Sequence, residues 1–186
     1  MKTLALFLVV GSVCLAASDK AAFTRDGELE YPSDYRQWTF LSSGLGMTYG
    51  PNAPAAGTPL RFDNVFVNPS SYREFMKTGT WPDGTVMILE VRESQTKGSI
   101  NQHGSFQTRV IGIEAHVKDS RRFKGDWAFF NIGLKKTPSK VMAPGNNCQT
   151  CHEAHGSVDT TFVQFYPDLI PVAEKFGRMK RTAAAQ

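Results

Sequence analysis

The pentapeptide CQTCH at residues 148–152 constrains this chain more than any other feature of its sequence. Two thiols one helical turn apart, followed directly by an imidazole, match the C-x-x-C-H signature for covalent attachment of haem c. Each thiol can add to one vinyl group of the porphyrin, and the histidine then reaches the iron as its proximal ligand. We therefore predict one haem c, bound through two thioethers to Cys148 and Cys151, with His152 as the metal ligand.

Two other interpretations of these cysteines remain open. A zinc ion could use Cys148, Cys151 and His155, with His103 or His116 as a fourth ligand, although nothing pairs these residues at motif spacing. A C-x-x-C disulfide, redox-active or structural, is the second alternative, but no thioredoxin-like βαβ pattern precedes it. Haem remains the preferred prediction because the N-terminus indicates export.

That N-terminus has the layout of a secretory signal peptide. Lys2 is followed by an apolar run over residues 4–13 and by small residues at 16–18. The run is shorter than the ~20 residues that span a bilayer. We expect cleavage near residue 18, a single mature domain over 19–186, a periplasmic location and no membrane association after cleavage.

Charge argues against a nucleic-acid partner. The chain has 21 basic and 17 acidic residues, a formal net charge of +4. The basic cluster at residues 175–181 is typical of a solvated helix end, and so mild an excess does not indicate nucleic-acid binding.

Runs of β-branched and aromatic residues bounded by turn residues predict a sheet. The predicted strands cover residues 38–43, 62–68, 84–93, 104–119 and 126–133. Amphipathic helices of parallel βαβ units are missing between most of them, so the predicted class is α+β, a mostly antiparallel sheet with short helices packed around the haem.

One helix is predicted within this pattern, over residues 68–79. Asn68 or Ser70 would cap its start, Ser71 and Glu74 fit a capping box, and Gly79 would end it. This helix would supply one crossover connection. The Gly- and Pro-rich segment 44–59 is expected to be a long loop bordering a pocket.

The ligand on the other side of the iron separates the functional alternatives. A sixth protein ligand would indicate electron transfer, whereas an open position would admit small molecules. No candidate stands in a distinctive motif; the candidates are Met47, Met76, Met87, Met142, Met179, His103, His116 and His155.

Several longer segments resemble the cytochrome P-460 family, which includes the cytochromes c′-beta. They are DGELEYPSDYRQW, NPSSYREFMKTGTWPDGTV, IGIEAHVKDSRRF, GDWAFF, CQTCH and FVQFYPDL, in that order. The resemblance implies one haem c against a mostly antiparallel sheet, a histidine proximal ligand, an open distal site and a homodimer. It carries the attachment roles onto Cys148 and Cys151 and the ligand role onto His152.

The chain departs from the hydroxylamine-oxidising members of that family at one position. Their lysine, which links covalently to the haem ring, is replaced here by Leu89, and a pocket arginine is replaced near Asp63. The apolar substitute implies the c′-beta branch, which binds nitric oxide and carbon monoxide under a hydrophobic cap. Strand alternation predicts that Thr85, Met87 and Val91 share the face of Leu89, so Met87 and Leu89 are candidate haem contacts.

Glu114 is the family-like polar residue that remains. In the hydroxylamine oxidisers the matching glutamate handles protons, so Glu114 is a candidate proton-transfer group whose pKa burial would raise. His116 should share its strand face, at the pocket edge or in solvent. The aromatic candidates for a cap are Phe40, Phe66, Phe129, Phe130, Phe162 and Phe165.

Three functions follow from these predictions. The first is a periplasmic haem c protein that binds nitric oxide or a similar small ligand. The second is an oxidoreductase acting on hydroxylamine or a related nitrogen compound, with Glu114 moving protons. The third is simple electron transfer with a redox partner protein, which requires a sixth ligand such as Met87 or His116.

Overall fold

The computed structural model describes residues 19–48, 55 and 57–180. The predicted signal peptide and its cleavage site, as well as part of the predicted loop at 44–59, lie outside the described residues. Within the described part of the chain, no helix is both long and apolar enough to cross a membrane.

Five strands form one sheet in which every neighbouring pair is antiparallel and the spatial order follows the chain. They are β1 (Thr39–Leu45), β2 (Arg61–Val67), β3 (Val86–Gln95), β4 (Phe106–Lys118) and β5 (Trp127–Asn131). Each predicted strand overlaps one of them. The predicted α+β class with an antiparallel sheet is therefore confirmed.

Three short α-helices accompany the sheet, namely α1 (Pro69–Thr78), α2 (Asn147–His155) and α3 (Ile170–Lys175). Short 3₁₀ turns lie at Tyr35–Gln37 and Val163–Phe165. Helix α1 matches the predicted helix and ends at Gly79, whose φ of 69° places it in the left-handed region. The predicted crossover is wrong, because α1 joins β2 to β3 and these strands pair antiparallel.

The start of α1 is capped by a distant residue. Asn68 stands at the N-cap without a side-chain capping bond, and its Oδ1 instead accepts a hydrogen bond from the Val86 amide of β3 at 2.8 Å. The Asp19 carboxylate accepts from both the backbone N–H and the hydroxyl of Ser70, each at 2.6 Å. The predicted capping box is therefore wrong, since Asp19 satisfies the amide at the helix start.

Strand alternation gives the sheet two buried faces. One face packs a core around Ile88, Ile113 and Phe130. The opposite face packs Met87 and Trp127 against α1, α3 and the segment between α2 and α3. The candidate site lies on this second face.

A polar cluster is buried on the first face around Glu90, which is 2% exposed. Glu90 accepts a hydrogen bond from the Tyr35 hydroxyl and forms ion pairs with Arg92 at 2.5 Å and Arg36 at 2.7 Å. Burial raises the pKa of Glu90, but the bonds from Arg92 and Tyr35 and the charge of Arg36 outweigh it, so the pKa lies below its usual value. Burial and the Glu90 bond raise the pKa of Tyr35 to about 12.

Candidate functional site

A cavity of about 640 Å³ opens on the second face of the sheet. Its volume is in the range of ~300–1,000 Å³ that is common for cofactor and ligand sites. Strands β2, β3 and β4, helix α2 and both described ends of the predicted loop contribute to it. Its aliphatic and thioether wall residues include Met47, Leu60, Val65, Met87, Leu89 and Val91.

Helix α2 carries the CQTCH motif along one side of this cavity. The Asn146 side chain caps the helix by accepting from the Gln149 amide at 3.0 Å. Cys148, Cys151 and His152 all line the cavity, and both thiols are free.

No residue of α2 is fully buried by protein. A nine-residue helix is marginal alone and gains its stability from burying one face, so a planar apolar group bonded to these thiols would supply the missing contact. The donor set and the cavity therefore fit a haem c.

The His152 ring is held in one orientation. Its Nδ1 lies 2.7 Å from the Thr160 carbonyl oxygen, which can only accept, so Nδ1 carries the proton and Nε2 is left to bind a metal. The rings of Phe162 and Phe129 contact it with centroids 4.2 and 4.8 Å away. Burial lowers the pKa of His152, although the Thr160 bond opposes this, and the neutral ring is the ligating form.

The described residues offer no ligand set for the alternative zinc site. Across residues 19–48, 55 and 57–180, no group of three or more His, Cys, Asp or Glu side chains could hold a metal ion together. His155, the third ligand of the alternative zinc site, and His103, one of the two options for its fourth ligand, are both exposed.

His116 is placed on the same side as His152. Its ring stacks on Phe129 with centroids 4.0 Å apart and meets the His152 ring edge-on at 4.9 Å, which leaves no gap for a porphyrin between the two histidines. Of the two expected positions, the one in solvent is wrong, because Trp127 and Phe129 cover the ring and leave it 7% exposed. The pocket-edge position agrees with the structure, since His116 lines the cavity. Burial, and then the neighbouring His152, lower the pKa of His116 well below its usual value.

The candidate sixth ligands thus reduce to methionines. Among the described residues, Met47 and Met87 are the candidate methionines that line the cavity. Met76 is exposed on α1, and Met179 packs against the core of the second face.

Strand β3 presents alternate residues to the cavity, as the sequence pattern predicts. Met87, Leu89 and Val91 line it, while the residues between them pack into the opposite face. The prediction for Thr85 is wrong, because this residue precedes the strand, is fully buried and donates its hydroxyl proton to the Pro82 carbonyl at 2.6 Å.

Two carboxylates lie in the mostly apolar wall of the cavity. Glu114 and Asp63 both line it, and neither accepts a hydrogen bond from the described residues. Glu114 stays accessible through the open cavity, yet burial, and secondly the charge of Asp63, raise its pKa. Burial also raises the pKa of Asp63, against the opposing charge of Arg61. The sequence indicated Glu114 as a candidate proton-transfer group, whereas it indicated Asp63 only as the replacement of a pocket arginine and not as a second carboxylate beside Glu114.

The aromatic candidates for a cap divide between the two faces. Phe129, Phe162 and Phe165 line the cavity, and the first two pack against His152. Phe130 lies in the core of the first face, and Phe66 packs there against Tyr35. The hydrogen bond between Thr160 and His152 was not predicted, because Thr160 contributes its backbone carbonyl. Every residue has such a carbonyl, so the sequence does not show which one is used.

Comparison with known proteins agrees with this geometry. No curated protein matches the chain. The family model for cytochrome P-460 matches residues 32–163, well over half of the chain, and this span includes both the cavity strands and the CQTCH helix. The chain therefore belongs to the cytochrome P-460 family of haem cytochromes.

Proposed function

We propose that this protein is exported to the periplasm, carries one haem c on Cys148 and Cys151 with His152 as proximal ligand, and binds nitric oxide or a similar small neutral ligand. The main observation that supports this proposal is the position of Leu89. It lines the cavity at the position where the resemblance places the cross-linking lysine of the hydroxylamine oxidisers. Leucine has no nucleophile to form such a link. A homodimer and a redox partner protein belong to the same proposal.

The wall around Leu89 favours a neutral ligand. Met87 and Val91 flank it on the same strand face and offer no hydrogen-bond donor. A neutral diatomic loses little hydration on entering such a wall, whereas an ion loses much more. The bound haem would supply the iron to which the gas coordinates.

The test is the absorption spectrum of the purified exported protein, reduced with dithionite, before and after addition of nitric oxide. We expect a high-spin ferrous haem c spectrum that changes on addition. A strongly red-shifted Soret band would indicate a ring cross-link and contradict the proposal.

A matched pair of leucine variants sharpens this test. Leu89→Gln adds an amide that retains water in the cavity, and we expect nitric oxide association to slow roughly tenfold, the effect of about 1.4 kcal/mol. Leu45→Gln makes the same change at an exposed end of β1 outside the cavity and should leave the rate unchanged. Equal rates in both variants would contradict the role of Leu89.

A second candidate function is oxidation of hydroxylamine or a related nitrogen compound, and Glu114 favours it. A carboxylate with a raised pKa on the cavity wall can accept the proton that such a substrate loses as its electrons pass to a redox partner. If this function operates, Glu114→Ala abolishes turnover and spares nitric oxide binding. Glu30→Ala, an exposed control, should leave both unchanged.

Simple electron transfer requires a sixth ligand, for which Met87 is the strongest candidate in the cavity wall. A low-spin resting spectrum that becomes high-spin in Met87→Leu would establish it and displace the first proposal. A resting spectrum that is already high-spin would exclude it.

A further inference from the structure

The residues that follow α2 form a tight turn beneath His152. We call residues 157–161 the proximal turn. Thr161 donates its amide to the Val158 carbonyl at 2.9 Å, and Ser157 donates to the Thr161 carbonyl at 2.9 Å. The turn presents the Thr160 carbonyl oxygen to Nδ1 of His152.

Gly156 allows the proximal turn to pack this closely against the end of α2. A Cβ at this position would lie 2.6 Å from the His152 carbonyl oxygen and 2.7 Å from the carbonyl carbon of Thr160. Both are backbone atoms, so neither can rotate away. The backbone of Gly156, with φ −65° and ψ 128°, is open to any residue. Glycine is therefore needed here for space and not for its dihedral angles.

His116 holds the turn from the sheet side. Its Nε2 lies 3.3 Å from the Thr160 hydroxyl. Its ring is fixed against Trp127 and Phe129, with centroids 4.3 and 4.0 Å away. A rigid ring on β4 thus fixes the side chain of the same residue whose carbonyl meets His152.

We propose that Gly156 and His116 are positioning residues that hold Thr160 so that its carbonyl keeps Nδ1–H of His152 hydrogen-bonded and thereby sets the reduction potential of the iron. A hydrogen bond at one ring nitrogen makes the other a stronger donor to a metal. A stronger donor stabilises the ferric state, so loss of the bond raises the potential. This inference rests on the proposed attachment of haem to α2, but not on the identity of the distal ligand.

The first test compares Gly156→Ala with the wild type in haem-loaded protein. The added Cβ pushes the proximal turn away from His152, and we expect a higher reduction potential and a lower iron–histidine stretching frequency in the ferrous resonance Raman spectrum. Gly112→Ala is the control, because its Cβ would meet Val91 at an ordinary 3.6 Å. An unchanged potential and Raman band in Gly156→Ala would overturn the inference.

A milder pair of variants decides the question if Gly156→Ala does not fold. Thr160→Val and His116→Phe each remove the bond between Thr160 and His116 while keeping side-chain shape, and we expect both to shift the potential upward. Thr78→Val removes a hydroxyl bond to the Glu74 carbonyl on remote α1 and should have no effect. No shift in either milder variant overturns the inference.

The two proposals fail in different ways. Purified protein without covalent haem overturns the proposed function and this inference together. If haem-loaded protein does not bind nitric oxide, only the proposed ligand is overturned. The reduction potential and the Raman band are measured without nitric oxide, so they still test this inference.

Discussion

Asp63 places an acidic side chain in the cavity wall, and under the proposed function its charge would affect which ligands the cavity admits. The resemblance places an arginine of the hydroxylamine oxidisers near this position, so the local charge is reversed. Together with Glu114, Asp63 puts two carboxylates on the cavity side of the sheet, with Arg61 as a neighbouring cation. Ionised carboxylates repel anions and leave a neutral gas unaffected, so they would reinforce the proposed selectivity of the apolar wall.

We expect Asp63→Asn to raise the affinity of the ferric protein for azide about fivefold. This corresponds to ~1 kcal/mol, a fraction of the ~4 kcal/mol by which two like unit charges in contact repel each other at an effective dielectric constant of about 20. Affinity for nitric oxide should not change. Absorbance titrations measure both, and Asp168→Asn is the exposed control. The difference in azide affinity between Asp63→Asn and the wild type should disappear at acidic pH, because Asp63 is then protonated and uncharged. Burial raises the pKa of Asp63, so this protonation begins at a higher pH than for an ordinary aspartate.

The Tyr35 hydroxyl is expected to contribute to stability through Glu90. Tyr35→Phe removes a buried hydrogen bond to a carboxylate, a type of bond that contributes about 1.5–3 kcal/mol to the free energy of unfolding. Tyr31→Phe is the matched control, because Tyr31 packs edge-on against Tyr35 but its hydroxyl makes no hydrogen bond to the described residues. Denaturant unfolding of both variants measures the difference, and equal losses would contradict this role for the Tyr35 hydroxyl.

At the scale of elements, the start of α1 depends on a residue far away in sequence. Asp19→Ala removes the carboxylate that accepts two hydrogen bonds from Ser70. We expect a loss of about 1 kcal/mol in the free energy of unfolding, as for other N-terminal capping groups. Asp168→Ala, an exposed aspartate without a hydrogen-bond partner among the described residues, should cost much less. Denaturant titration distinguishes them.

The elements also show what local sequence can predict. The strands were predictable because each is a β-branched or aromatic run between turn residues, and Gly79 marked the end of α1 correctly. The start of α1 was predicted correctly, with Asn68 at the N-cap. The group that accepts its hydrogen bonds was not predictable, since local spacing favoured a capping box while the actual acceptor, Asp19, lies 51 residues before Ser70. The crossover was wrong for a related reason: a helix between two strands does not fix whether they pair parallel or antiparallel.

At the scale of the whole molecule, the candidate site combines one contiguous motif with residues that only the fold brings together. Cys148, Cys151 and His152 could be named as candidates because the C-x-x-C-H signature lies in consecutive residues, and all three line the cavity. Leu89 and Glu114 came from the family resemblance, and the pairing of β3 with β4 places them side by side. The burial of His116 and the role of the Thr160 carbonyl depend on tertiary packing, which single-sequence patterns do not report.

The pH dependence of stability is the last property of the whole molecule that the structure predicts. Glu90 has a folded-state pKa below its ordinary value of 4.5. Its contribution is therefore fully present above that value and is lost as pH falls through the folded pKa. Asp63 and Glu114 have raised pKa values, so their effect on the free energy of unfolding has the opposite sign and favours the folded state as pH falls. The contribution of Glu90 must therefore be isolated by comparing variants with the wild type.

We expect Glu90→Gln to lower the free energy of unfolding at pH 7 by about 3 kcal/mol, because it removes a buried charge that pairs with Arg92 and accepts a hydrogen bond from the buried Tyr35. For a chain of this size the melting temperature should fall by roughly 6–12 °C. Glu93→Gln is the matched control on the same strand, where water screens the exposed ion pair with Arg109 and the melting temperature should hardly change. Thermal melts of haem-loaded protein between pH 7 and pH 3 measure the effect. The gap between Glu90→Gln and the wild type should narrow below pH 4.5, and a gap that stays constant would show that Glu90 contributes through its shape and not through its charge.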